Sequence, residues 1–215
     1  MMKKHETNEQ ILRYRPGQRL IHLLLATTFL LLLFTGLVIL WRPLTILDFG
    51  PLSRYLHRLG AIGFMLVPLL YIVIDWPGAK ELITESFTYD RDDWEWLKRA
   101  PQYFMGRAAD MPPQGRLNAG QKIHHAGVIV VSFFVVASGL IMWLLSGTLD
   151  QGVLAGVVIV HDLSMMILTV LLVGHLYFTF VYKALSGMTT GYIDRASAEL
   201  EHAKWVEEID RQPLS

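Results

Sequence analysis

Between Val160 and His175 the chain reads VHDLSMMILTVLLVGH, an apolar run with one imidazole near its start and another at its end. Asp162 is its only charge. Imidazole titrates near neutral pH, binds metals through a ring nitrogen and relays protons. Six of the eight histidines (His22, His57, His124, His125, His161 and His175) belong to apolar stretches, while His5 and His202 lie in polar tails and read as solvated. An ionisable group inside a membrane is costly, so function is the default expectation for the six. Fourteen residues of helix separate His161 from His175 by about 21 Å and return to within about 40° of the starting direction. Both rings of that run therefore lie on one stripe.

The elements that carry these rings follow from hydropathy. The 215 residues are 53% hydrophobic, too apolar for an ordinary soluble domain of this length. Four apolar stretches, about 20–41, 55–76, 123–145 and 153–182, are each long enough to cross a hydrocarbon core of roughly 30 Å. The fourth overshoots and is expected to continue into water as a helix. Trp41, Tyr55, Trp76, Trp143 and Tyr182 fall near the ends, where an interfacial aromatic belt is expected. A soluble bundle would need polar outer faces, and IHLLLATTFLLLLFTGLVIL has none. The first stretch is too long for a signal-peptide core and follows nineteen residues of polar arm, so it reads as a retained span.

Charge sets the expected direction. Sixteen Lys and Arg lie in the N-terminal arm, the connection at about 77–121 and the tail; only Arg42, Arg54 and Arg58 lie in the opposite connections. The positive-inside rule then puts both termini and the long connection in the cytoplasm. The expected fold is an all-α membrane protein, a four-transmembrane-helix bundle. Residues 1–19 form an arm, 20–183 the membrane domain and 184–215 a tail. Zero net charge gives no electrostatic case for nucleic acid. The absence of cysteine excludes disulfides, thiolate-bound clusters and thioether-attached haem.

Depth then sorts the histidines into two levels. His57 opens the second span and His161 the fourth, both on the outer side. His22 opens the first span on the cytoplasmic side, the level His175 reaches. Two imidazoles on facing helices can hold one haem by its two axial positions, and bundle cores commonly house such sites. The expectation is two stacked b haems, the outer held by His57 and His161 and the inner by His22 and His175. His124 and His125 open the third span at the inner level and compete with His22, or bond a haem propionate or a quinone. His22 is preferred because it makes each haem pair the fourth span with another span. Gly36, Gly60 and Gly63 leave room for a macrocycle edge or for close helix packing, two readings the sequence does not separate. Asp162 points about 100° away from its neighbour and reads as a helix-terminal charge.

At this level of detail the chain resembles the cytochrome b (gamma) subunits of respiratory formate dehydrogenases. The resemblance rests on Arg19-x-x-His22, on RYLHRLGAIGF at 54–64 and on LNAGQK at 117–122. It continues through VHD at 160–162 and GHLYFTFVYKALSGMTTG at 174–191, and it covers about Arg15 to Trp205. Related di-haem anchors of nickel–iron hydrogenases and thiosulfate reductases share the histidine pattern. The resemblance implies axial ligation by the same four histidines. It also implies a menaquinone or ubiquinone site beside the inner haem, formed by Asn118, Gly120 and His175. Without it, NAGQK reads as a pre-helix turn capped by Asn118. The pair His124-His125 departs from the family pattern and adds two titratable groups near that site. The implied role is that of a membrane anchor in the bacterial inner membrane. It would take electrons from an iron–sulfur beta subunit, docked outside with a molybdenum or tungsten catalytic alpha subunit, and pass them to quinone. A hydrogenase anchor is the nearest alternative. A histidine-relay channel or transporter would call for inverted repeats or broken spans, and neither is visible.

Overall fold

The computed structural model describes residues 9–107, 109–182 and 184–211; Lys3, Lys4, His5 and Lys183 lie outside them. A short strand β1 (Gln10–Leu12) precedes α1 (Pro16–Leu40), and a 3₁₀ turn leads to α2 (Pro51–Ile74). Next come α3 (Trp76–Phe87), α4 (Arg91–Lys98) and α5 (Ala100–Phe104), then the long helices α6 (Ala119–Leu145) and α7 (Gln151–Val181). The chain closes with α8 (Leu185–Thr189), β2 (Tyr192–Asp194), α9 (Arg195–Glu201) and α10 (Ala203–Arg211).

α1, α2, α6 and α7 are long and apolar enough to cross a membrane. Each begins two to four residues earlier than hydropathy alone indicates, because the polar first turn still folds as helix. Pro16 and Pro51 open two of them, at the end where a missing N–H costs nothing. α7, at 31 residues, exceeds the hydrocarbon thickness as expected. Large side chains along the spans stand open, among them Phe133 at 68% and Val170 at 70% exposure. In water such faces would aggregate; against lipid they are the required surface.

The chain divides into two compact units. The second unit, Leu20–Lys80 with Gly127–Gly174, is the four-helix bundle. α1 and α2 approach closely at two glycines. A Cβ on Gly63 would lie 2.7 Å from Thr28 Cγ2, and one on Gly60 3.2 Å from Leu32 Cγ. Those two glycines serve helix packing. Phe29 and Phe64 pack beside them, and the Arg58 guanidinium covers the Trp143 ring between α2 and α6.

The first unit gathers the arm up to Arg19, Glu81–Ala126 and the chain from His175 onward. β1 pairs antiparallel with β2, Gln10 opposite Asp194 and Leu12 opposite Tyr192. Arg19 holds the turn after α8, donating to the backbone oxygens of Met188, Thr189 and Thr190. Gly191 must be glycine there, because its φ is +93° and a Cβ would meet Tyr14 O at 2.8 Å. Two sequence signatures at opposite ends of the chain, Arg19 and TTG, are thus one contact. The connection at 77–121 is largely helical. Its α4 is started by a reciprocal cap in which Asp90 and Asp93 each accept from the other's backbone N–H.

His202 corrects an expectation. It is 5% exposed, not solvated. α9 and α10 fold back on the arm, and Ile11, Ala198, Trp205 and Val206 form an apolar cluster under them. The tail's polar composition hides this because its apolar residues are few and fall on one face. His202 Nδ1 donates to Gly115 O at 2.9 Å, and its Nε2 faces Arg13 Nη2 at 3.5 Å. Burial lowers its pKa to about 3 and the Arg13 charge adds to the effect, so the ring is neutral and Nε2 accepts.

Candidate functional site

In the second unit the structure brings His57 and His161 together, with ring centres 6.4 Å apart. α2 and α7 carry the rings, and α1 and α6 seat them by one repeated device. On α1, the Thr35 hydroxyl donates to Leu31 O at 2.7 Å, so its oxygen is left to accept from His57 Nδ1 at 2.9 Å. The next residue, Gly36, lets the ring lie against the helix, since a Cβ there would be 3.4 Å from His57 Cε1. On α6, the Ser138 hydroxyl donates to Phe134 O at 2.6 Å. His161 Nδ1 lies 3.0 Å from Val135 O and 3.2 Å from Ser138 Oγ. Gly139 follows, where a Cβ would be 3.2 Å from His161 Cε1.

Both rings therefore carry their proton on Nδ1 and keep the lone pair on Nε2, the nitrogen a metal needs. Spacing tests the fit. Metal–imidazole bonds of about 2 Å on either side, with the half-width of each ring added, put the ring centres of two trans ligands about 6 Å apart. The observed 6.4 Å fits a haem iron held between these two rings.

Gly36 was singled out by its spacing from His22; Thr35, Ser138 and Gly139 were not. The available signal was a hydroxyl residue followed by glycine, placed 22 or 23 positions before each outer histidine.

At the other level, His124 and His175 lie in the first unit with ring centres 5.2 Å apart and planes inclined by only 16°. His125 stands edge-on to His124 at 5.8 Å, and its Nδ1 is buried. Stacked rings at 5.2 Å are too close to flank an iron with two bonds of about 2 Å. His22 is carried by α1 within the other unit, so its pairing with His175 rests on the depth argument from sequence.

Asn118 and Gly120 have local roles throughout. Asn118 is 2% exposed and caps α6. Gln121 N donates to Asn118 Oδ1 at 2.9 Å, and Asn118 N donates to Gln121 Oε1 at 3.1 Å. One N–H of the Asn118 amide points to the Tyr103 hydroxyl, 3.4 Å away. Ala119 is fully buried, and a Cβ on Gly120 would strike Trp96 Cη2 at 2.8 Å. Lys122 binds Asp93 Oδ2 at 2.6 Å. Each residue of NAGQK therefore has a structural task, which composition alone does not reveal.

Beside this cap sits a buried polar line. Tyr103, 6% exposed, stacks on Tyr182 with ring centres 4.2 Å apart and donates to Glu201 Oε2 at 3.1 Å. Burial pushes the Glu201 carboxyl up to about 7, against the Tyr103 hydrogen bond and the Arg13 charge, which pull it down.

The sequence model of the prokaryotic cytochrome b561 family matches residues 13–191. Among curated proteins, the chain is 25% identical over 215 residues to the formate dehydrogenase cytochrome b556(fdo) subunit of Escherichia coli, covering 97% of this chain and 96% of that one. It is 23% identical over 206 residues to the formate dehydrogenase cytochrome b556 subunit of Haemophilus influenzae, covering 93% and 83%. The nitrate-inducible b556(Fdn) subunit of Escherichia coli matches at 26% over 125 residues, 57% of this chain and 58% of that one.

Proposed function

The chain belongs to the prokaryotic cytochrome b561 family, as a multi-pass membrane protein that carries haem b, and from that premise we propose that it is the membrane anchor and electron-transfer subunit of a respiratory formate dehydrogenase. The relatives named for that role align over nearly the whole chain. In this reading two b haems are bound, the outer by His57 and His161 and the inner by His22 and His175. The observation that carries it is the outer pair, with Nδ1 of each ring held by a neighbouring helix and ring centres 6.4 Å apart. For the inner pair, the 5.2 Å stack of His124 on His175 favours His22 over His124 as the second ligand.

Held by these histidines, haem would supply one-electron exchange. The chain's residues do the rest. Thr35, Ser138 and Val135 fix the tautomer and the plane of the outer ligands. The apolar spans exclude water, and the short connections leave a low outer face for an iron–sulfur beta subunit with its molybdenum or tungsten alpha subunit. In the bacterial inner membrane, with both termini cytoplasmic, the chain accepts electrons outside and hands them to menaquinone or ubiquinone near Asn118, Gly120 and His175. Each charge moved inward is worth about 2.3 kcal/mol per 100 mV.

The decisive measurement is haem per chain by pyridine haemochrome, with two expected. A ratio near zero refutes the reading, and a ratio near one leaves a single histidine pair. Thr35→Val is a finer probe, because it keeps the shape and removes the hydroxyl acceptor for His57 Nδ1, leaving only the Leu32 carbonyl beside the ring. Loss of such a supporting hydrogen bond weakens metal binding by about tenfold or more. Faster haem transfer to excess apomyoglobin is the expected result; an unchanged rate would mean the hydroxyl does not support the ligand. The quinone contact is tested by Asn118→Leu in the intact complex. Reoxidation of reduced haem by menadione should slow while haem content holds; an unchanged rate moves the contact elsewhere.

A further inference from the structure

Burying an acid without an ion-pair partner gains a protein nothing in stability, yet among the described residues Glu201 has no ion pair. It ends α9, half-buried, with its carboxyl on the Tyr103 hydroxyl at 3.1 Å. That hydroxyl in turn lies 3.4 Å from the Asn118 amide. The line Glu201–Tyr103–Asn118 is contained within the first unit. An open cavity of about 450 Å³ runs beside it, walled in part by Tyr182, which stacks on Tyr103, and by Leu200, which precedes Glu201. Asp110 and Arg107 also line that cavity, giving it a polar wall.

We propose that Glu201 and Tyr103 form a proton path from cytoplasmic water to a quinone held at Asn118. The path rests on the quinone contact proposed above. Reducing a quinone to a quinol takes two electrons, which bound ferrous haem would supply one at a time, and two protons. For each proton, the Tyr103 O–H bond breaks toward the quinone oxygen while the Glu201 O–H bond breaks toward the Tyr103 oxygen. Water in the cavity then reprotonates the carboxylate, and a second turn supplies the second proton. Tyr103 is held far from ionisation, chiefly by burial and then by the Glu201 charge, so it passes a proton on without storing a charge. Glu201 does the storing, as a carboxyl with a pKa near the working pH can.

The groups facing Glu201 are few. Arg13 reaches toward it from the arm, Tyr103 from α5 and Tyr182 from the end of α7. His202 follows it in sequence and is neutral throughout. Among the described groups that face it, Glu201 alone therefore changes charge near pH 7.

The test is stopped-flow reoxidation of reduced haem in the intact complex, from pH 5.5 to 8.5, with menadione as acceptor and ferricyanide as an acceptor that needs no proton. Menadione reoxidation by the unaltered complex should fall as pH rises through about 7, where Glu201 loses the proton it must donate. Glu201→Gln should be at least tenfold slower at pH 6 and should lose that step. Tyr103→Phe, which keeps the ring stack on Tyr182, should be slowed at least tenfold as well. Ferricyanide rates and haem content should stay unchanged in both. Wild-type menadione rates and pH profile in the two variants overturn the path, as does an equal slowing with ferricyanide, which marks a structural role. If Glu201→Gln does not assemble, Tyr103→Phe alone decides. An Asn118→Leu complex with normal menadione rates refutes the quinone contact itself, whereas a slow Asn118→Leu with normal Glu201→Gln refutes only the path.

Discussion

Alanine at His57 and alanine at His161 are expected to remove the same haem and to leave the other in place. The two rings come from α2 and α7, more than a hundred residues apart in sequence, and stand at the spacing that two ligands of one iron require. Thr35 and Ser138 are occupied with the backbone of their own helices, and the depth reading from sequence puts the other span histidines at the opposite level. Each ring would supply half of the protein's hold on that haem, so loss of half the haem is the expected reading for each variant. Reductive titration of membranes from the two variants should lack one and the same potentiometric component. Different missing components would break the pair. His22→Ala should delete the remaining component. If it spares both, His124 or His125 is the inner ligand, and the 5.2 Å stack of His124 on His175 must open to admit the iron.

Lys122→Met is expected to cost about 3–5 kcal/mol, the usual penalty for stripping one partner from a buried ion pair. Lys122 Nζ lies 2.6 Å from Asp93 Oδ2, with the two side chains 14% and 3% exposed. The same carboxylate accepts from Asp90 N at 2.8 Å and so closes the cap of α4. Methionine fills the space of the lysine stem but leaves the Asp93 charge without a counterion. The loss should appear as a lower midpoint for thermal loss of helical circular dichroism in detergent. Pairing the change with Asp93→Asn should recover part of it, because the buried charge then goes as well. A Lys122→Met chain as stable as the original would mean that water reaches Asp93 and screens it. The prediction bears on how NAGQK is understood, since it gives the motif's lysine a task in folding that is independent of quinone.

The spans were legible because lipid demands uninterrupted apolar length, and nothing else in a chain of this size imitates that. The approach of His57 to His161 was legible because successive spans alternate in direction, which fixes which span ends share a level. What escaped was of a different kind. Thr35 and Ser138 look like the unremarkable small polar residues found in any membrane helix. Their significance lies in which ring each faces, and that depends on helix rotation. His202 was misplaced because α10 is mostly charged, and the two residues that bury it, Trp205 and Val206, form too brief an apolar signal. Asn118 was read in two ways, as cap and as quinone contact. The cap is present in the hydrogen bonds of Gln121, while the contact awaits the menadione experiment.

The pairing of Gln10 with Asp194 sets a timetable for the chain's birth. At roughly 5–20 residues per second, the ribosome delivers β2 on the order of ten to forty seconds after β1. Through that interval all four spans are made and inserted while the arm waits with its strand edge unpaired and Arg13 without the Trp205 ring it will lie against at 4.6 Å. The first unit therefore closes only once β2, α9 and α10 have been made. A chain cut short between Val181 and Gly191 would hold its four spans yet leave the edge of β1 open and its apolar face uncovered. Closure of this unit thus marks the chains whose synthesis has passed α10.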